Sequence, residues 1–352
     1  MSIRVGINGL GRIGRNAFRA AVRQPDLEVV AANDITDVAT LAYLLRYDSI
    51  LGTYPEAVNV DGESLVVGER RIRVFGEKEP GKIPWGDLKV DVVLDCTGKF
   101  TDATKARAHI DPGGARKVII SAGATNEDMT IVLGVNESRY EPDRHHVISN
   151  ASCTTNCLVP VVKVLHDRFG VESGVMTTVH AFTNSQRLLD APHKDLRRAR
   201  AATLSIIPTT SGAVRSLAKV IPELAGRFQG MALRVPVPSV SIVDLTVVTK
   251  AAVTAEAINS AFRAAAAGPL KEILAVADAP LVSVDFEGNP HSAIVDASST
   301  MVAGDKQAKV LAWYDNEWGY ASRLVDLAAY VGRRLAVDGL AEPAPKQARS
   351  AQ

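Results

Sequence analysis

Cys153 stands in the run Ser149-Asn150-Ala151-Ser152-Cys153-Thr154-Thr155-Asn156-Cys157, where small polar residues open a helical pattern over Ala151–Lys163. A thiol at a helix N-terminus has its thiolate stabilised by the helix dipole, which suits a covalent nucleophile. Cys157, one turn deeper, is expected in packing, as is Cys96. A thiol nucleophile needs a base in space. Of the seven histidines, His180 ends the apolar run Val175–Val179, where a strand end can aim its ring into a cleft. A hydrogen-bonded structural histidine is the equally open alternative. His145, His146, His166 and His193 lie in polar surroundings and read as surface residues. The cysteines and histidines have no CxxC or HExxH spacing, so no metal site is expected. Two features could hold an anion: the cluster Thr209-Thr210-Ser211-Gly212, and Arg234 within an apolar strand. Such an arginine is costly unless it meets a carboxylate or a phosphate.

Gly9-Leu10-Gly11-Arg12-Ile13-Gly14 follows a strand-like run, Ile3–Ile7, and opens a helix-like one, Arg12–Arg23. In that context the glycines permit a tight turn and let the backbone approach a pyrophosphate, which the helix N-terminus favours electrostatically. Asp34 closes the next strand-like run, Leu27–Ala32, about 20 residues after Gly14, the spacing of an acid that receives a ribose 2′-OH. A 2′-phosphate there would meet a like charge. At ~4 Å and an effective dielectric of ~20 that repulsion is about 4 kcal/mol, so NAD is the expected cofactor.

These residues need a frame. The chain has 352 residues, 47% hydrophobic and 22% charged, with a formal net charge of +1, which fits two soluble domains and argues for neither membrane nor nucleic acid. Three cysteines make no disulfide framework, and a reducing compartment, the cytoplasm, is expected. The first residues show no signal-peptide pattern. Strand-like Val90–Leu94 and Lys117–Ile120 flank helix-like Ala103–Ile110, and Thr40–Leu45 starts another helix. That alternation predicts an α/β, Rossmann-type doubly wound parallel sheet. Beyond Ser149 the pattern changes. Val171–His180, Met231–Val235, Ser241–Thr249, Leu281–Asp285 and Val310–Tyr314 alternate apolar with polar residues, which predicts an α+β second domain on a mostly antiparallel sheet. Asp326–Leu340 reads as a closing amphipathic helix and 341–352 as a disordered tail.

Several long motifs occur in order: GINGLGRIGR, ASCTTNC (Ala151–Cys157), TVHAF (Thr178–Phe182), PHKDLRRARAA (Pro192–Ala202), ALRVPVP (Ala232–Pro238) and WYDNEWGY (Trp313–Tyr320). Across residues 2–335 the chain resembles the phosphorylating glyceraldehyde-3-phosphate dehydrogenases of bacterial type. The resemblance implies a cofactor domain at 1–152 completed by a helix at about 317–340, a catalytic domain at 153–316, and a homotetramer in which PHKDLRRARAA lies near a neighbour's cofactor. It implies oxidation of glyceraldehyde 3-phosphate to 1,3-bisphosphoglycerate through a thiohemiacetal and a thioester. Cys153 would be the nucleophile and His180 its activator. Gly9, Gly11, Arg12, Ile13, Gly14, Asp34, Lys78, Thr97, Gly98, Ser121 and Asn316 would meet NAD. Ser152, Thr154, Ser211 and Gly212 would bind one phosphate, substrate or inorganic, and Thr183 and Arg234 the other.

The chain departs from the commoner family pattern in several places. Ser185 replaces an Asp that orients the phosphate-binding Arg, Ser211 replaces a Thr, Gly123 a Pro and Leu10 a Phe, and Lys78 stands where an Arg is frequent. Ala191 leaves room for some NADP use, against Asp34 and Pro192. Ser185 keeps open a related erythrose-4-phosphate dehydrogenase. A nucleotide- or redox-sensing homologue without catalysis is the alternative from another class; intact Cys153, His180 and Asn316 argue against it.

Overall fold

The computed structural model describes residues 2–338. Its first sheet has nine strands. At the centre lie β1 (Ile3–Asn8) and β2 (Leu27–Asn33), joined by helix α1 (Arg12–Ala21), with β3 (Val92–Asp95) on the other side of β1. These pairings are parallel, and Lys117–Ile120, Val147–Ser149 and Met129–Thr130 extend the sheet in the same sense. On the opposite flank Arg70–Phe75 pairs in parallel with β2, and only the edge strands Ser64–Val67 and Val58–Asp61 run antiparallel. The expected Rossmann-type sheet is therefore present. Its β1 residues Val5 and Ile7 and β3 residues Val92 and Leu94 are fully buried, as a sheet covered on both faces requires.

The second sheet has eight strands. Its middle is β4 (Val171–Ala181), flanked by β5 (Phe228–Val235) and β6 (Ser241–Thr249), with β7 (Gln307–Tyr314) beyond β6. Most pairings are antiparallel, but β4 and β5 run parallel, in a register that sets His180 directly beside Arg234. Helix α2 (Cys153–Phe169) packs across this sheet, and its Cys157, Leu158, Val161 and Leu165 are fully buried in the second core.

The last helix, α3 (Trp318–Asp338), returns to the first sheet. Its Ala321, Leu324, Ala328 and Val331 join the core built by β1 and α1. The expected closing helix thus begins eight residues earlier than Asp326. The oxygen Oδ1 of Asp315 accepts the N–H groups of Glu317 and Trp318 at 2.9 and 2.8 Å, supplying the start that the sequence EWGY disguised. Gly319 within this turn is needed for close approach: a Cβ there would fall 2.8 Å from the carbonyl of His291.

Leu281–Asp285 is not the expected strand. Ser283–Phe286 forms a 3-10 turn, because Asp285 reaches back to accept the N–H of Val282 at 2.8 Å. A short acidic side chain competes locally with the ladder and wins. Residues 339–340 of the expected helix and the expected tail at 341–352 lie outside the described residues. No helix among the described residues is long and apolar enough to cross a membrane.

Candidate active site

The chemistry gathers where the two sheets meet. Ser152 is the N-cap of α2, its Oγ accepting the N–H of Thr155 at 3.1 Å, a cap of about 1 kcal/mol. That places Cys153 on the first turn, with the positive end of the helix beneath its sulfur. The residue before the cap, Ala151, takes a left-handed φ of 54°. An alanine there is strained, and two contacts hold it: its N–H donates to Ser149 Oγ at 3.0 Å and its carbonyl accepts from the Tyr320 hydroxyl at 2.8 Å.

His180 is the penultimate residue of β4 and is 3% exposed. Its Nε2 lies 3.4 Å from Cys153 Sγ, so the nucleophile and base expected from sequence do meet. Its Nδ1 lies 2.7 Å from the Ala181 carbonyl and 2.6 Å from Arg234 Nη1. Burial, reinforced by the Arg234 charge, lowers the His180 pKa to about 3, so the ring is neutral at physiological pH. Burial pushes the Cys153 thiol up, while Arg234 and hydrogen bonds at Thr154 pull it down.

Arg234 answers the question its sequence context raised. No carboxylate pairs with it among the described residues; Nη1 donates to the Ala181 carbonyl at 3.0 Å, and its buried Nε has no partner. A buried guanidinium held only by neutral groups is under-satisfied and suited to an anion. The other expected phosphate ligands are differently occupied. Thr154 is buried and shares its hydroxyl with Tyr314 at 2.9 Å, and Ser152 Oγ also meets Thr155 Oγ1 at 2.8 Å. Thr183 Oγ1 is 2.9 Å from Ser185 Oγ. Ser211 and the exposed Gly212 precede the helix Ala213–Val220.

Gly9, Gly11, Asp34, Lys78 and Thr97 line one cleft of about 430 Å³ at the carboxyl ends of the parallel strands, the position at which such sheets bind ligands. Asp34 braces the loop: Oδ2 accepts the Leu10 N–H at 2.8 Å and Oδ1 the Thr36 N–H at 3.0 Å. A Cβ on Gly11 would touch nothing within 4 Å, leaving open space for a ligand to approach the backbone. A Cβ on Gly14 would lie 1.9 Å from the Gly9 carbonyl, so this glycine packs helix on loop. Gly98 turns away from Thr97 with φ 65°. Ile13 is half-buried against the first core, and Ser121 is half-buried with its N–H donating to Asp95 O at 2.9 Å. Arg12 spends its guanidinium on Asp48 and Glu317, leaving its backbone as the part able to meet a phosphate. Asn316, 4% exposed, is oriented by Ser241, whose Oγ donates to its Oδ1 at 3.0 Å. These residues fit a dinucleotide: a glycine turn at a helix start, a braced acid, and an oriented amide at the far side.

The family model described as "Glyceraldehyde 3-phosphate dehydrogenase, NAD binding domain" matches residues 3–103, and that of the family's C-terminal domain matches residues 152–316. The glyceraldehyde-3-phosphate dehydrogenase 2 of Streptomyces arenae is 58% identical over 336 residues, 95% of this chain and 100% of the relative. The chain belongs to the glyceraldehyde-3-phosphate dehydrogenase family. The Geobacillus stearothermophilus glyceraldehyde-3-phosphate dehydrogenase is 57% identical over 334 residues, 95% of this chain and 99% of its own. That of Mycolicibacterium smegmatis is 55% identical over 343 residues, 95% and 100% of the two chains. As a member of this family the chain is an NAD-dependent oxidoreductase.

Sequence reasoning missed several residues that pack around Cys153, His180 and the cleft. Tyr314 hydrogen-bonds both Thr154 and Thr178 (2.9 and 2.8 Å) and sets its ring edge-on to His180 at 5.9 Å. Asn8, Asn33, Lys99 and Phe100 also line the cofactor cleft. Behind it His109, wholly buried, accepts from Trp85 Nε1 at 2.9 Å and donates from Nε2 to Asp95 at 3.1 Å. Asp95 also receives Asn8 Nδ2 at 3.0 Å and the Thr97 hydroxyl at 2.7 Å. The sequence run RAHID carried no sign of this. His145, His146, His166 and His193 are half-buried rather than fully at the surface; His145 accepts the Glu141 N–H at 2.9 Å and His166 the Val171 N–H at 3.1 Å.

Proposed function

We propose that this chain oxidises D-glyceraldehyde 3-phosphate with inorganic phosphate to 1,3-bisphosphoglycerate, with Cys153 as nucleophile and His180 as its acid and base. The reading rests above all on the 3.4 Å contact between Cys153 Sγ and His180 Nε2. His180, neutral, takes the thiol proton as sulfur adds to the aldehyde carbon. The Cys153 backbone N–H and protonated His180 then face the oxyanion. NAD, when bound, supplies the hydride acceptor that turns the thiohemiacetal into a thioester. Inorganic phosphate attacks the thioester carbonyl, the acyl phosphate leaves, and sulfur recovers its proton from His180. Arg234 with Thr183, and Ser152, Thr154, Ser211 and Gly212, are the two sets assigned to the phosphates. Asn316 is assigned to the nicotinamide amide and Asp34 to the adenosine ribose, with Gly9, Gly11, Arg12, Ile13, Gly14, Lys78, Thr97, Gly98 and Ser121 around the rest of the cofactor.

Residues 1–152, with the closing helix from about 317, are read as the cofactor unit and 153–316 as the catalytic unit. A homotetramer is part of the proposal. Exposed Leu188, Leu189, Leu196, Leu204 and Ile206 crowd one loop, Tyr43 and Tyr47 are exposed with their rings 5.1 Å apart, and Ile35 is exposed at the cofactor cleft; clustered apolar exposure of this kind marks an interface. Free Cys96, Cys153 and Cys157 suit a reducing cytoplasm.

The test is the initial rate of glyceraldehyde 3-phosphate oxidation with NAD and with NADP, each with and without phosphate. Phosphate-dependent NADH formation is expected, with NADP slower. Phosphate-independent oxidation, or oxidation of erythrose 4-phosphate alone, would overturn the assignment.

A further inference from the structure

One buried hydroxyl joins the strand end that carries His180 to the amide of Asn316. Ser241 opens β6 opposite Tyr314 of β7, and Asn316 lies two residues beyond Tyr314. Ser241 Oγ accepts the N–H of Ala181, the residue after His180 and the last of β4, at 3.0 Å. The same Oγ donates to Asn316 Oδ1 at 3.0 Å. Ser241, Ala181, His180 and Asn316 are each at most 4% exposed, so little solvent competes for these bonds. The donor inventory fixes their direction. A backbone N–H can only donate, so Ala181 claims a lone pair of Oγ and leaves the one hydroxyl proton for Asn316. That proton needs an acceptor, and the amide must therefore present Oδ1. Turned over, Nδ2 would donate to Oγ and the hydroxyl proton would be buried with nothing to meet, which is costly. Nδ2 is thus the end that Asn316 offers to a ligand; among the described residues it meets no protein acceptor.

The backbone is strained just before Ser241. Val240, 2% exposed, takes a left-handed φ of 65°, which β-branched residues seldom adopt. Its side chain packs with Phe286 and Ile294 in a small apolar cluster. Strain of this kind collects where local geometry is used. We propose that Ser241 is a positioning residue: it fixes the polarity of the Asn316 amide, so that the protein reads the carbonyl oxygen of the nicotinamide carboxamide and not its amino group. Through Ala181 the same hydroxyl ties that amide to the strand end bearing His180, so the cofactor ring and the base share one reference point. The proposal rests on the reading in which Asn316 meets the nicotinamide, and an Asn316 variant tells the failure of one from the failure of the other.

The experiment is calorimetric titration of the full-length protein with two dinucleotides that differ only at this group. The 3-acetylpyridine analogue of NAD keeps the carbonyl and lacks the amino group; the 3-aminopyridine analogue keeps the amino group and lacks the carbonyl. The parent should bind the acetyl analogue about tenfold or more tightly, the worth of a donor that would otherwise go unmet. Ser241→Ala leaves the amide free to turn, so this ratio should fall roughly fivefold, the equivalent of one hydrogen bond. Ser241→Cys fills the same space with a weaker donor and should lower the ratio in the same direction; it replaces the alanine variant if that one does not fold. A general loosening of the fold would weaken both analogues together and leave the ratio alone. Asn316→Ala should lower the ratio at least as far. If it does, and the folded Ser241 variants keep the parent's ratio, the role of Ser241 is overturned and the nicotinamide reading stands. A ratio that Asn316→Ala leaves unchanged, or a parent that binds the two analogues equally, would overturn both.

Discussion

The carbonyl oxygen of Gly9 occupies the space in which a side chain on Gly14 would begin. A Cβ built on Gly14 lies 1.9 Å from that oxygen, whereas one built on Gly11, in the same loop, meets nothing. The two glycines therefore answer to different constraints. Gly14→Ala should lower stability by at least about 1–3 kcal/mol through overpacking, seen as a lower thermal midpoint without ligand. Gly11→Ala should unfold like the parent and lose NAD affinity, because its methyl projects into the open space proposed for the pyrophosphate. Equal midpoints for Gly14→Ala and the parent would show that the loop yields freely.

Removing the sulfur should separate binding from chemistry. Cys153→Ser should reduce turnover below detection and leave NAD affinity within about twofold, because a hydroxyl beside a neutral imidazole is a far weaker nucleophile than a thiolate. Fluorescence titration with NAD and the dehydrogenase assay measure the two. Substantial turnover in the variant would end the nucleophile assignment.

Asp34 both braces the glycine loop and holds charge at the cleft. Asp34→Gly should raise the ratio of NADP to NAD efficiency by more than about tenfold, since half of a ~4 kcal/mol repulsion suffices. NAD efficiency should fall as well, because the Leu10 and Thr36 N–H groups lose their acceptor. An unchanged ratio in kcat/KM would mean that the carboxylate does not meet the ribose.

The buried histidine makes stability depend on pH. Its pKa is about 3 in the folded chain against 6.5 ordinarily. Between those values the unfolded chain binds a proton here that the folded one refuses. Stability therefore rises with pH across the window and is lost as pH falls through it. His145 and His291, also lowered by burial, act in the same direction. His180→Asn should show a shallower loss of unfolding free energy between about pH 7 and pH 5 than the parent, read by urea titration. A parallel loss would mean that this imidazole contributes nothing to the slope.

His109 is the strongest test of structure outside the Cys153–His180 pair. His109→Leu leaves Trp85 Nε1 without its partner, costing about 1–3 kcal/mol, and removes one of the two donors to Asp95 Oδ2, which keeps Asn8 Nδ2. The urea midpoint should drop clearly and KM for NAD should rise, since Asp95 also holds Asn8 and Thr97 at the cofactor cleft.

What the sequence made legible was local. The strand, glycine turn, helix and acid of the cofactor cleft lie within 34 residues, and hydroxyls announce the start of the helix at Cys153. The partnership of His180 with Arg234 was not legible, because it depends on the register of two parallel strands whose paired residues are 54 apart. Tyr314 hydrogen-bonds Thr154 and Thr178, partners 160 and 136 residues away in the chain, which nothing local in WYDNEWGY marks. Leu281–Asp285 showed strand alternation, but one carboxylate capping a turn outweighed it. His109 sat in a helix-like run, and its burial depends on Trp85 arriving from 24 residues away.

Helix α3 closes the first core from the far end of the chain, and a Cβ on its Gly332 would fall 2.4 Å from a side-chain carbon of Ile3. During synthesis this makes the order of emergence matter. The first sheet can leave the ribosome long before the helix that covers it. At roughly 5–20 residues per second the intervening 180 or so residues take about 10 to 40 seconds. Throughout that interval the apolar faces of Ile3, Val5 and Phe18 lack their lid. A nascent chain of this protein thus carries uncovered apolar surface, of the kind chaperones bind, through about half of its translation, and losing the last helix would leave the cofactor sheet as uncovered as it is on the ribosome.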